Sequence, residues 1–259
     1  MAAEDNRSLT SADWPDIVQK IRARTPARIL VGRIGAAYRT RTQLDLREAH
    51  AAARDAVRNE LSLGDAFGTD FVKRWNLFEV STQATSKDEY LLRPDLGRHF
   101  TDTSRAELLN RCSANNRLQI AIGDGLSVTA VSAQVPPLLT GLHEGAKARG
   151  WTVGDVFVVR HCRVGILNEI GELLTPEVAV LLLGERPGLA TAESLSAYMA
   201  WRPTRSHTDA NRNLISNIHA RGVNPKDAVV RILNLAAKMI KVGQSGWKLR
   251  EDLPPSIHP

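Results

Sequence analysis

Apolar positions along the chain follow one regime up to about residue 100 and another beyond it. In the first regime, Trp14, Ile17, Val18 and Ile21 predict a short amphipathic helix between Asp13 and Ile21. Arg28 to Gly35, with Pro26 ahead of it and glycines at 32 and 35, predicts a loop. Thr40-Arg-Thr-Gln43 matches a capping box, in which the threonine hydroxyl and the glutamine side chain satisfy orphan amides reciprocally. Leu46, Ala49, Ala53, Val57 and Leu61 then recur at helical spacing through alanine-rich sequence. Residues 63 to 100 mix glycines, aromatics and an alternating stretch, with a turn marked by Pro94 and Gly97.

Beyond residue 100, short apolar runs alternate with helical patterns, the signature of βαβ units around a mostly parallel sheet. Strands are predicted at Leu118 to Ile122, Val156 to Val159, Val178 to Leu183 and Tyr198 to Trp201. The third is apolar throughout, as a strand buried on both faces must be. Helices are predicted from Leu138 to Arg149, stopped by Gly150, over Ile166 to Leu174, and over Ala192 to Ala197. The final helix has the fullest set of signals: Asn224 as cap, Pro225 in the first turn, Asp227 near the positive end and Gly243 past the close. The pairs Ala228/Val229, Ile232/Leu233, Leu235/Ala236 and Met239/Ile240 trace one apolar stripe along it. The fold class is therefore α/β, with a largely helical domain over residues 1–100 and a sheet domain over 101–259. There is no internal repeat, and Pro254, Pro255 and Pro259 predict a loose tail.

Composition adds limits. A chain of 259 residues, at ~150 per domain, corresponds to roughly 1.7 domains. Hydrophobic residues at 43% and charged residues at 24% supply a core and exclude disorder for most of the length. The longest apolar run, Val178 to Leu183, falls far short of the ~18 residues a membrane span needs, so a soluble protein is expected. Met1 to Asn6 carries no basic segment leading into an apolar one, which points to a cytoplasmic location. Cys112 and Cys162 are too few for a disulfide framework or a four-thiolate zinc site. The net charge of +6 favours acidic partners, and Lys20, Arg22, Arg24, Arg28, Arg33, Arg39 and Arg41 follow one another between Asp16 and Asp45 without a carboxylate. This basic arm is either a docking surface or a solvated face.

Ligands of open α/β sheets bind outside the carboxyl ends of the strands, where this chain places Gly123-Asp-Gly-Leu-Ser127 and Gly184-Glu-Arg-Pro-Gly188. Small residues there admit a large flat ligand, and Glu185 and Arg186 supply an acceptor and a donor fork; equally, the glycines serve tight turns and the charges are solvated. Neither loop is a P-loop, and Gly32-x-x-Gly35 is not a dinucleotide fingerprint. No Gly-x-Ser-x-Gly elbow and no paired histidines at metal-ligand spacing are present. His161 beside Cys162 is the tightest nucleophile-type pair, but neighbours at a strand end point to opposite faces. The residues favour a binding domain over a self-sufficient enzyme.

Tyr90-Leu-Leu-Arg-Pro-Asp-Leu-Gly-Arg98, Asp124-Gly-Leu-Ser127, Val159-Arg-His-Cys-Arg-Val164, Glu169-Ile-Gly-Glu172, Gly184-Glu-Arg-Pro-Gly-Leu189, Glu193-Ser-Leu-Ser196 and Ile215-Ser-Asn-Ile218 follow one another in the order seen in the small subunit of ethanolamine ammonia-lyase. The resemblance runs from about Ile17 to Leu249. It implies a small helical N-terminal domain, then a Rossmann-like domain, in complex with a large barrel subunit that holds the ethanolamine site. The two chains together would bind adenosylcobalamin and convert ethanolamine to acetaldehyde and ammonia. The family's cobalamin contacts fall here on Val164, Glu185 and Leu214, the last a departure because leucine stands where the family has cysteine. Some members carry a long N-terminal extension that directs them into a bacterial microcompartment; only about sixteen residues precede the matching region here, which weakens that expectation. Asn217-Ile-His-Ala-Arg-Gly222 nearly matches the Asp-x-His-x-x-Gly motif of cobalamin proteins whose histidine replaces the benzimidazole. Asparagine for aspartate removes the carboxylate that orients such a histidine, so the resemblance implies that the cobalt keeps its own benzimidazole. The competing readings are a nucleic-acid-binding protein, suggested by the basic arm but disfavoured by an aromatic content of 5%, and a nucleotide-dependent Rossmann enzyme lacking its glycine fingerprint.

Overall fold

A computed structural model describes residues 15–25 and 27–252 of the chain; Trp14 of the first helical pattern and the prolines of the tail lie outside them. Helix α1 (Asp16–Ala23) buries none of its residues. A minimal antiparallel hairpin of β1 (Arg33–Ile34) and β2 (Ala37–Tyr38) interrupts the predicted loop and leads into α2 (Thr40–Arg58). The capping box does not form: Arg39, in extended conformation, is the N-cap, and no side chain caps the helix. The hairpin delivers the chain one residue early, so Thr40 is already helical and cannot present its hydroxyl as a cap. Two short helices follow, α3 (Leu63–Phe67) and α4 (Thr69–Trp75).

The core is a mixed six-stranded sheet built from β3 (Phe78–Ser81), β4 (Leu118–Gly123), β5 (Phe157–Arg160), β6 (Val178–Gly184), β7 (Leu195–Trp201) and β8 (Asn213–Ile218), in the order β3-β5-β4-β6-β7-β8. β3, β5, β4 and β6 run parallel, and β6 is buried at every position. β3 reaches the sheet edge from before residue 100. β7 and β8 are antiparallel additions. The connection from β6 to β7, residues 185–194, is too short for the crossover helix that a parallel partner needs. Ala192 to Ala197 is accordingly not a helix: its second half already pairs with β6.

Helices cover both faces. α7 (Val128–Ala148) and α9 (Pro225–Val242) pack together on one, over Ile120, Ile122, Val180 and Leu182. α6 (Asp102–Arg111) and α8 (Ile166–Leu174) cover the other, over Ala121, Ala179 and Leu181. α9 has the predicted ends, with the Asn224 side chain accepting from the Lys226 amide at 3.0 Å and Gly243 at φ 72°. α7 starts a full ten residues before the predicted Leu138, capped by Ser127, and runs through Pro136 and Pro137. Interior prolines cost about 3 kcal/mol or more each, yet Ala130, Val131, Val135, Leu138, Leu139 and Leu142 are wholly buried along the same stripe. At ~1.5–3 kcal/mol for each fully buried large aliphatic side chain, packing outweighs propensity.

Candidate functional site

Two strand ends are tied together by one carboxylate. Asp124, directly after β4 and 2% exposed, accepts the backbone amides of His161 at 2.9 Å and Cys162 at 2.8 Å, just past the end of β5. The buried Lys87 ammonium, on α5 (Lys87–Leu92), stands 3.8 Å from Asp124 and donates to the Gly125 carbonyl at 3.1 Å. Burial pushes the Lys87 pKa down, and Asp124 opposes the shift. Gly125 has φ +57°, and a Cβ there would meet the Gly184 carbonyl oxygen at 2.3 Å. Gly125 and Gly184 therefore serve the contact of the two predicted ligand loops with each other.

His161 and Cys162 are not a nucleophile and base. The His161 Nδ1 lies 3.0 Å from the Ala84 carbonyl, and the Cys162 thiol is fully buried, where desolvation and then Asp124 push its pKa far up. Cys162 instead offers its carbonyl to the Tyr90 hydroxyl at 2.9 Å, and the Arg163 guanidinium lies 4.1 Å from the Tyr90 ring centre while donating to the Tyr90 carbonyl.

On this base rests a cleft of about 320 Å3 that brings together Val164, Glu185 and Leu214. The three arrive from separate segments: the turn between β5 and α8, the loop after β6, and β8. Leu214 pairs with Tyr198 of β7 and is 47% exposed, because α8 packs over β6 while α9 covers β7 and β8 from the opposite face. The antiparallel strands thus form an open ledge beside α8. Glu185 is held from three directions: the Ser194 hydroxyl donates to Oε2 at 2.7 Å, and the Ser196 hydroxyl and the Asn217 amide donate to Oε1 at 2.6 and 2.9 Å. Burial alone would raise its pKa, but the Asn217, Ser196 and Ser194 donors outweigh burial and hold it below the ordinary carboxylate value. Arg186 next to it is exposed.

His219 also lies near this loop, 4% exposed, with both ring nitrogens engaged: Nδ1 accepts from the Arg221 amide at 3.2 Å, and Nε2 faces Asn217 Oδ1 at 2.8 Å. Sequence reasoning did not foresee Ser194, Ser196 or Asn217 as partners of Glu185, since no local spacing signals that β7 and β8 will fold beside that loop. Among the described residues, no three His, Cys, Asp or Glu side chains converge as metal ligands, and no helix is long and apolar enough to cross a membrane.

The chain is an α/β protein whose cleft is open along one side and offers an acceptor carboxylate, an apolar wall and arginine donors. The profile of the ethanolamine ammonia-lyase light chain (EutC) matches residues 15–250. The ethanolamine ammonia-lyase small subunits of Clostridium perfringens and Listeria monocytogenes are each 41% identical to this chain over 231 residues, 89% of this chain and 76% and 77% of theirs. That of Clostridioides difficile is 40% identical over 230 residues. The chain belongs to the ethanolamine ammonia-lyase light-chain family.

Proposed function

We propose that this chain is the small subunit of an adenosylcobalamin-dependent ethanolamine ammonia-lyase, that it covers part of the cobalamin with the Val164, Glu185 and Leu214 cleft, and that a large subunit carries the ethanolamine site. The convergence of those three residues on one cleft supports the reading most directly. The donor set fits a corrinoid. A corrin edge alternates methyl groups with carboxamide arms; Val164, Leu214 and Tyr198 offer apolar contact, and the Glu185 carboxylate offers an acceptor. About 320 Å3 is near the lower end of the ~300–1,000 Å3 that encloses a drug-sized ligand, so the cleft takes an edge and leaves the remainder to the partner.

When bound, adenosylcobalamin supplies radical chemistry through its cobalt–carbon bond. This chain's residues bind, orient and shield. A carboxylate has about four acceptor positions, and three are in use on Glu185, which leaves one on Oε2 for a carboxamide N–H. The two serines and the Asn217 amide fix the direction of that lone pair. Leu214 provides apolar contact but no sulfur. His219 has both ring nitrogens committed inside the chain and is left with none for a metal. In this reading a helical N-terminal domain precedes the Rossmann-like, cobalamin-contacting one, and the boundary expected at residue 100 moves ahead of β3, which pairs with β5 inside the sheet.

The test is cobalamin affinity of the complex reconstituted with the large subunit. Glu185→Ala removes a charged acceptor worth ~1.5–3 kcal/mol, or roughly 10- to 150-fold in affinity. Glu185→Gln keeps one oxygen and loses less. Unchanged affinity in both would reduce the loop to a turn, and acetaldehyde formed by the purified chain alone would overturn the division of labour.

A further inference from the structure

The cleft does not end at Leu214. It shares Arg163, Val164, Tyr198 and Leu214 with a second hollow of about 430 Å3, which in turn shares Arg98, Gly165, Asp209 and Arg212 with a third of about 560 Å3. The two outer hollows are lined by five arginines, Arg98, Arg105, Arg163, Arg205 and Arg212, against two carboxylates, Glu169 and Asp209. Glu169 is already spent: it accepts from Arg105 and from the Phe100 amide and lies 2.8 Å from His99 Nδ1.

Arg212 is the unusual member. Its side chain is only 5% exposed, it donates to Asn168 Oδ1 at 2.8 Å and to the largely exposed Asp209, and its Nε is buried with no partner. Burial disfavours its charge, Asp209 supports it, and Arg98 across the hollow disfavours it again. The Arg98 side chain is laid against Gly165, where a Cβ would meet its Cγ at 2.8 Å. Gly165 is the N-cap of α8 and lines the same hollow, but the first three amides of that helix are already spent on the Arg163, Val164 and Gly165 carbonyls. His207 adds a second buried nitrogen, its ring Nδ1, without a partner. A buried guanidinium and a second, exposed one around a single opening make an incomplete anion cage.

We propose that the hollow between Arg98, Arg212 and Gly165 is an oxyanion subsite that takes a phosphate group. An arginine fork matches two oxygens of a phosphate, and the anion would relieve the repulsion between the two arginines. The phosphate has two possible sources: the phosphodiester in the nucleotide tail of cobalamin, which extends the reading proposed above because the hollow continues from the corrinoid cleft, or a free phosphate-bearing molecule.

The experiment uses the full chain assembled with its large subunit and compares wild type, Arg98→Ala and Arg212→Lys. Arg98 is exposed, so its truncation leaves the fold intact, and lysine at 212 keeps the charge while losing the fork. Three probes are titrated: cobalamin, cobinamide, which lacks the nucleotide tail and its phosphodiester, and inorganic phosphate followed by phosphorus-31 line broadening. A fall of at least tenfold in cobalamin affinity, with cobinamide unchanged, assigns the subsite to the cofactor's phosphodiester. Unchanged corrinoid affinities with phosphate binding lost in both variants assigns it to a free phosphate. Equal losses for both corrinoids without phosphate binding, or no change with any probe, overturns the proposal. If corrinoids bind no variant and not the wild type, the cofactor reading fails while the phosphate titration still decides this one.

Discussion

α2 and α7 have nearly the same length, 19 and 21 residues, and opposite relations to the rest of the molecule. α2 is built from good helix formers and buries only Ala53 and Ala56. α7 contains two consecutive prolines and buries eight residues. The helix favoured by its own composition is held by little else, and the helix that local rules would break is held by the core. The same division separates the segment up to residue 58, where Ile17, Leu30, Tyr38 and Leu44 are 41–63% exposed, from the sheet and its four covering helices. The sheet region spends its apolar surface internally. The N-terminal arm keeps apolar and basic groups outward, with Arg28 reaching the Leu189 carbonyl on the loop beyond Glu185.

The sharpest way to break this comparison is truncation on each side. Leu139→Ala, at a fully buried position of α7, should cost about 2–5 kcal/mol of unfolding free energy, whereas Leu44→Ala on α2 should stay within ~0.5 kcal/mol. Equal losses in urea titrations would mean that the arm is part of the cooperative core.

A smaller effect is expected at the joint between α6 and α8. Glu169, 6% exposed, would have its pKa raised by burial, but hydrogen bonds from Arg105, the Phe100 amide and His99 prevail and lower it. A carboxylate with a depressed folded pKa contributes stability that is complete above the unfolded value of ~4.3 and is lost as pH falls through the folded value. Glu169→Gln should therefore cost ~1.5–3 kcal/mol near neutrality and flatten the loss of stability on the acid side. An acid limb as steep in the variant as in the wild type would assign it to other groups.

The smallest effect on stability belongs to the arm itself. Arg33 lies 4.8 Å from the Tyr38 ring centre and donates to its hydroxyl, a local contact on an exposed hairpin. Replacing Arg33 and Arg39 together by glutamate should move the thermal midpoint little, within ~0.5 kcal/mol, yet weaken assembly with the large subunit, because a cation at an interface becomes an unpaired like charge. Normal assembly on gel filtration would leave the arm as solvated surface.

Much of the fold was legible as local pattern. β6 announced itself by uninterrupted apolar sequence, α8 by its period over Ile166–Leu174, and α9 by the cap at Asn224, the proline after it and the glycine at its end. The misses have two causes. The helix start expected at Leu138 and the helix expected over Ala192 to Ala197 gave way to distant packing partners, whereas the cap expected at Thr40 gave way to the hairpin just before it. Val164, Glu185 and Leu214, expected from motif resemblance, line one cleft, while the donors that hold Glu185 carried no signal of their own.

The sequence by itself determined the α/β class, the central parallel strands, the last helix and the family, because periodicity, caps and ordered motifs are short-range properties written in contiguous residues. Only the tertiary structure decided that β7 and β8 return antiparallel, that α8 stops short of covering them, and that the ledge so exposed lies open beside Arg98 and Arg212. Those outcomes depend on which sheet face is left uncovered once every helix has been placed, a balance of packing among segments more than a hundred residues apart, as Arg98 and Arg212 are.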